Sequence, residues 1–282
     1  MTRKLIALPV ILAMVGVLAA PGWAKETTID SRWAPVPIRV DGNDQDWQNV
    51  TLLTDEESGA QYALENDGRN LYILFIFRDV MSASTIDYTG MKIFFDTAGR
   101  KSKDLGISFT RRDVKPDELI AALEKKGEVL TDERKAEIRK QRSYHLFEAG
   151  VINKKKVPAP TDPAFKNEPP MYAAGVQHQA RVYEFRIPLS RVNEAGGIGS
   201  EPGKTIKLGF EWGGLTSQAM RAMMADESAG GGGARQDLGI SGSISPEMAT
   251  AGGIGGSADL QRDPRTRLHS FWIDVKLAAN GS

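Results

Sequence analysis

Residues 71–77 read Leu71-Tyr72-Ile73-Leu74-Phe75-Ile76-Phe77, an unbroken apolar run opened by the turn signal Asp67-Gly68-Arg69-Asn70 and closed by Arg78-Asp79. The run is far shorter than the ~20 residues a membrane helix needs. Its aromatic and β-branched content points to a strand. Alternation sends Leu71, Ile73, Phe75 and Phe77 to one face and Tyr72, Leu74 and Ile76 to the other. Both faces are apolar, whereas a strand in a two-layer sandwich is ordinarily wet on its outer side. The run therefore predicts a central strand that something covers on each face.

The remaining strands are read outward from this one. Ala60 to Leu64 alternates and joins it through the Asn66–Asn70 turn, which predicts an antiparallel hairpin. Met91 to Asp96 is again apolar on two faces, with Ile93 and Phe95 opposed to Phe94. Thr97-Ala98-Gly99-Arg100 turns the chain back into Leu105 to Thr110. Later, Val182 to Ile187 puts Tyr183, Phe185 and Ile187 inward. Ile206, Leu208, Phe210 and Trp212 alternate with Lys207, Gly209 and Glu211, and Phe271 to Leu277 closes the set. There is no βαβ rhythm, so the expected fold class is all-β, an antiparallel β-sandwich with a helical insertion.

That insertion spans 115–142. Pro116 with Asp117 and Glu118 opens one helix, Thr131-Asp132-Glu133 opens a second, and the apolar stripes are thin. It is the expected cover for Tyr72, Leu74, Ile76 and Phe94; if it does not reach them, that surface is open to a ligand or partner. A Pro-rich linker follows at 157–170. A Gly-rich stretch at 226–258 is too poor in apolar residues to offset its ordering entropy, so a mobile loop is expected there. Residues 25–282 are read as a single domain.

The 36 basic and 36 acidic residues balance, which gives no electrostatic case for nucleic acid or an anionic membrane. The absence of cysteine excludes thiolate zinc sites, iron–sulfur clusters, a cysteine nucleophile and covalently attached c-type haem. Arg3 and Lys4, the apolar run to Ala20, and Gly22-Trp23-Ala24 read as a cleaved secretory signal over 1–24. The expected location is periplasmic or secreted, with no membrane segment after cleavage.

Four motifs carry a family resemblance. Val40-Asp41-Gly42 with Asp46-Trp47, Asn70-Leu71-Tyr72 running to Asp79, Ile93-Phe94-Phe95-Asp96, and Tyr183-Glu184-Phe185-Arg186-Ile187-Pro188-Leu189 occur in the order found in family 9-type carbohydrate-binding modules and related DOMON-like sandwiches. The chain resembles them over Ile38–Phe109 and Ala180–Leu277. The resemblance implies a jelly-roll-like sandwich that binds a carbohydrate without turning it over, holding the sugar between aromatic side chains. No G-x-S-x-G, H-E-x-x-H or phosphate loop is present, so no enzyme activity is expected.

Sugar recognition needs a flat aromatic face for the apolar side of a pyranose and polar groups for its hydroxyls. Trp272 shares a face with Asp274 and Lys276, which makes it the preferred platform. Trp212 falls by alternation with the core residues, yet Gly213-Gly214 ends its strand and leaves it a place on the rim. Glu211, Lys207 and Arg186 point outward and are candidates for hydroxyl contacts. Trp47 is expected to pack.

Some members of the resembled family carry calcium, and Asp41, Asp44 and Asp46 cluster here in one loop with Asn43; turn chemistry is the alternative for them. DOMON-like relatives include b-type haem proteins, for which Met91, Met171, Met220, Met223, Met224, His145, His178 and His269 are the available ligands. A haem-binding electron carrier and a protein-interaction scaffold whose flat apolar face meets a protein partner are the alternative functions.

Overall fold

The structure, a computed structural model, describes residues 28–125, 127–156, 169–191, 196–216, 220 and 266–280. The signal expected at 1–24, the Gly-rich stretch at 226–258 and most of the linker at 157–170 lie outside the described residues, as do Met223 and Met224. Among the described residues twelve strands run in order: β1 (Thr28–Asp30), β2 (Arg32–Trp33), β3 (Leu53–Thr54), β4 (Gln61–Asn66), β5 (Asn70–Phe77), β6 (Met91–Asp96), β7 (Leu105–Val114), β8 (Tyr144–Asn153), β9 (Met171–Gln177), β10 (Ala180–Pro188), β11 (Thr205–Gly213) and β12 (Leu268–Lys276). Helix α1 (Val80–Thr89) joins β5 to β6, and α2 (Pro116–Lys125) and α3 (Asp132–Arg139) lie between β7 and β8. No helix among the described residues is long and apolar enough to cross a membrane.

The strands form two sheets, ordered β1-β12-β11-β6-β7-β8 and β2-β4-β5-β10-β9, with β3 also on β4. The expected β-sandwich is observed. It is antiparallel apart from the short parallel pairs β1/β12 and β2/β4. These arise because Ser31, the one residue between β1 and β2, takes the chain from the first sheet to the second. The Ala278 amide donates to both Ser31 Oγ (2.9 Å) and Asn66 Oδ1 (2.8 Å), and Asn66 Nδ2 donates to the Ala278 carbonyl (3.0 Å), fastening the crossing to the chain beyond β12.

The inter-sheet core follows the alternation of the sequence. Leu71, Ile73, Phe75 and Phe77 of β5 face Ile93, Phe95, Ile107, Phe109, Leu208, Phe210 and Trp212 across the gap, with Tyr183, Phe185 and Ile187 of β10 beside them. Aromatic rings dominate; Phe75 alone packs against Phe185, Phe210 and Trp212 at centroid distances of 6.2, 5.1 and 6.2 Å. Such edge-to-face contacts add to the apolar burial.

The second face of β5 is where expectation and structure part. Residues 34–52 cover it, not the helical insertion: Ala34, Ile38, Val40 and Trp47, with Val50 and Leu52, pack on Ala63, Tyr72, Leu74, Ile76 and Val182. A 3₁₀ turn, Asp44–Trp47, drives the indole of Trp47 down into this layer. Helices α2 and α3 instead sit at the far end of the β7–β8 hairpin, where Leu119, Ile120 and Ile138 close a small core on Val114 and Tyr144. Phe94 does not extend the second face of β5, because β6 belongs to the opposite sheet. Nor are the helices confined to one insertion, since α1 forms the connection from one sheet to the other. The apolar face offered to a protein partner in the scaffold alternative is thus already occupied by the chain's own residues.

Candidate functional site

The outer face of the first sheet gathers three of the expected binding residues. On β12, β11 and β6 the register aligns Trp272, Gly209 and Phe94 in one row across the strands, and Gly106 of β7 continues it. The glycines let the rings lie flat. A Cβ on Gly209 would stand 2.6–2.8 Å from three carbons of the Trp272 indole, and one on Gly106 would stand 3.0 Å from a Phe94 ring carbon. The indole therefore rests one face on the backbone of β11 and turns the other away from the sheet. Phe94 stacks beside it at 6.4 Å between centroids and 21° between planes. Phe94 is buried while Trp272 is only partly so, which leaves the indole as the aromatic surface in contact with solvent.

Ion pairs bracket this ring. On one side Lys207 Nζ lies 2.7 and 2.8 Å from the two oxygens of Asp274. On the other, Glu211 accepts from Lys92 at 2.9 Å and from Lys103 at 2.5 Å, and the Lys103 ammonium stands 5.6 Å from the centre of the Phe94 ring. Burial alone would push the Glu211 carboxyl up. Its bonds to Lys103 and Lys92 outweigh that and hold it below the usual carboxylate range. The side chains of Lys207, Asp274 and Glu211 are 12–15% exposed, so their positions are fixed by packing as well as charge. The result is a flat apolar floor between a hydrogen-bonding pair, Lys207–Asp274, and a group of three, Lys92–Glu211–Lys103.

Two other expected binding residues lie elsewhere. Trp212 is 2% exposed in the inter-sheet core. Its ring stacks on His269 at 5.2 Å and 15°, and Phe75, Phe77 and Phe271 surround it. The core pattern of β11 persists to its last turn, so the paired glycines after it do not release the ring to the rim. Arg186 is on the outer face of the other sheet, lining a cleft of about 1530 Å³ with Arg39, Asp41, Arg112, Phe147 and Tyr172. It donates to the Pro169 carbonyl at 3.4 Å and has no part in the Trp272 face.

The loop carboxylates Asp41, Asp44 and Asp46, weighed between calcium and turn chemistry, lie near β10 of the other sheet. Among the described residues no three His, Cys, Asp or Glu side chains are grouped to hold a metal ion. Asp41 accepts from the amide of Asn43, and Asp46 accepts from that of Arg39 at 3.0 Å, so these carboxylates organise the turn. Asp44 lies in the 3₁₀ turn that buries Trp47. Of the described haem-ligand candidates, Met91 and Met220 are fully buried, and His269 is buried against Trp212.

The sequence reading names Phe94 as part of a surface open to a ligand, but on the wrong sheet, and does not name Lys92, Lys103 or Gly209 as site residues. Gly209 carried a signal: a glycine in the middle of an alternating strand marks a place where another group approaches the backbone closely. Only the register shows that the group is Trp272.

No family model matches the chain, and no curated protein matches it. Among solved structures it is similar to a family 9 carbohydrate-binding module from Caldicellulosiruptor kristjanssonii in complex with glucose, at 16% identity over 68% of this chain and 81% of that one, with a TM-score of 0.35. A family 9 carbohydrate-binding module from Caldicellulosiruptor kristjanssonii in complex with cellotriose gives 15% identity over 68% and 80% of the two chains, again with a TM-score of 0.35. A likeness at that level carries nothing about what this chain binds.

Proposed function

We propose that this protein is a non-catalytic carbohydrate-binding protein whose platform is the Trp272 face. The observation that carries this reading is the Trp272 indole, laid flat over Gly209 and bracketed by the Lys207–Asp274 and Lys92–Glu211–Lys103 groups. A pyranose stacked on the free face buries its apolar C–H side, while its hydroxyls meet carboxylates and ammoniums held on either flank. Because those groups already pair with one another, little ordering is needed at the moment of binding, which favours affinity. Recognition here involves no bond making; the polar groups act only as donors and acceptors.

Export belongs to the same reading and is supported by the basic, apolar and small-residue succession at 1–24. N-terminal sequencing of the protein recovered from the exporting host would then begin at Lys25.

The deciding experiment is titration of soluble cello-oligosaccharides and of other neutral glycans, read by calorimetry and by affinity electrophoresis, on the wild type and on Trp272→Ala. Binding that disappears in the variant, with an unchanged circular dichroism spectrum, supports the platform. Undiminished binding in Trp272→Ala, or none to any glycan by the wild type, sinks it.

A further inference from the structure

At the end of the sandwich roofed by α1, a second group of side chains serves neither the core nor the Trp272 face. Asp87 of α1 meets one arginine from each sheet: Arg111 Nη1 at 3.3 Å, and Arg181 Nη2 at 3.0 and 3.1 Å from its two oxygens. The Tyr183 hydroxyl donates to Asp87 at 3.0 Å. Among the described residues, Asp87 is the only carboxylate ion-paired with either guanidinium. Arginine cannot be deprotonated in a protein, so two positive charges share one negative charge where the three side chains are only 12–14% exposed. A second observation points the same way: Arg181 Nε is buried with no hydrogen-bond partner. Native folds pair nearly all such donors, so this one, on a guanidinium that also lies 5.7 Å over the Tyr183 ring, has capacity for a further acceptor.

We propose that this cluster binds the carboxylate of a small organic acid or of a uronic acid unit. One carboxylate cancels the single surplus charge, whereas a dianionic phosphate would overshoot it. The planar guanidinium fork matches a carboxylate in geometry. Val176, paired with Arg181 across β9 and β10, is 38% exposed, so the cluster lies next to the protein surface. Phe147, paired with Arg111 across β7 and β8, supplies an apolar wall for the body of the acid.

The site is separate from the Trp272 face and does not depend on the function proposed for it. The test titrates the full chain with sodium acetate, sodium glucuronate and glucose at constant ionic strength, read by calorimetry and thermal shift. Acetate and glucuronate both bind, glucose does not bind here, and tighter binding of glucuronate identifies a uronic acid as the source. Arg181→Met leaves Arg111 and Asp87 as a balanced pair and so keeps a folded protein. It weakens carboxylate binding by about tenfold or more, as loss of a charged hydrogen bond implies. Arg181→Lys keeps the charge, loses the fork and also weakens binding, while Trp272→Ala leaves carboxylate binding intact. Equal affinity in Arg181→Met and wild type, or the same thermal shift from chloride alone, overturns the proposal.

Discussion

The indole nitrogen of Trp47 donates to Glu184 Oε1 at 2.7 Å, and the bond helps tie the covering segment to the sheet it covers. The other oxygen of Glu184 accepts from the backbone amides of Asp41 (2.9 Å), Gly42 (2.7 Å) and Asn43 (3.3 Å). A fully buried carboxylate thus serves as the shared acceptor for a turn and a core tryptophan. Gly42 is required beneath it: its φ is +82°, and a Cβ there would come within 2.6–2.8 Å of the Ala174–Gly175 backbone.

Glu184→Ala leaves the Trp47 indole N–H and the Gly42 amide buried and unpaired, and takes the acceptor from the Asp41 amide. The expected loss is ~3–5 kcal/mol, a large share of the 5–15 kcal/mol typical of a domain. Glu184→Gln keeps an acceptor in place and loses less, about 1–2 kcal/mol. Urea denaturation of the two variants measures both. Equal midpoints for Glu184→Ala and wild type would mean that packing alone holds residues 34–52.

Gly209→Ala tests the platform without touching Trp272. The new methyl group would stand 2.6 Å from the indole, so the ring must lift. Overpacking at a surface position costs about 1–2 kcal/mol of stability. Sugar affinity is expected to fall by about tenfold, the worth of one stacked aromatic contact. Tryptophan fluorescence shifted to the red, with glycan binding reduced, is the expected pair of readings.

Removing the negative charge at the α1 end has a larger effect than removing a positive one. Asp87→Asn strands two buried guanidiniums and is expected to cost ~3–5 kcal/mol, whereas Arg181→Met leaves a matched pair and costs less. Thermal denaturation ranks the two. If the carboxylate proposal holds, added acetate restores part of the stability lost in Asp87→Asn.

Two groups that contribute to the acid limb of stability share a sign. Burial, then the nearby Arg267, lowers the His269 pKa below 6.5, so the folded chain holds this imidazole neutral. The unfolded chain takes up a proton as pH falls through about 6.5, so stability declines below that value and levels off once folded His269 also protonates. Asp96 acts lower. Burial would raise its carboxyl, but amides from Ser102, Ala98 and Arg100, with the Arg100 charge, hold it below 3.8. Its contribution is present above 3.8 and is lost as pH falls through the folded value. Denaturation midpoints between pH 8 and pH 3 are expected to drop in two stages, and His269→Phe is expected to remove the upper one.

Much of the sandwich was legible because alternation is a local property. The hairpin β4–β5 and the inward sets on β10 and β11 follow from which residues share a face, and the burial of Trp47 from the size of its ring. Five strands are not in that reading: β1, β2 and β3 are only two or three residues long, and β8 and β9 are hidden for an equally local reason. β8, Tyr144–Asn153, carries Glu148, Ala149 and Gly150 in its exposed middle, and β9, Met171–Gln177, is short in large apolar residues. Both are edge strands, where one side needs no apolar cover. Helix α1 has almost no amphipathic pattern to read, and its ends are set by the strands it joins.

The sequence by itself determined the periods, and with them the two-faced apolar character of Leu71–Phe77 and the need for a cover on each face. It could not say what the cover was. Hydrophobic burial is non-directional: any apolar surface satisfies it, and residues 34–52 and the helices of 116–139 were both eligible. The choice was made by directional bonds, from Trp47 and three backbone amides onto Glu184, and by a turn that fits only because residue 42 is glycine. Pairing register likewise set Trp272 over Gly209, and that contact between distant parts of the chain appears only once the strands are laid side by side.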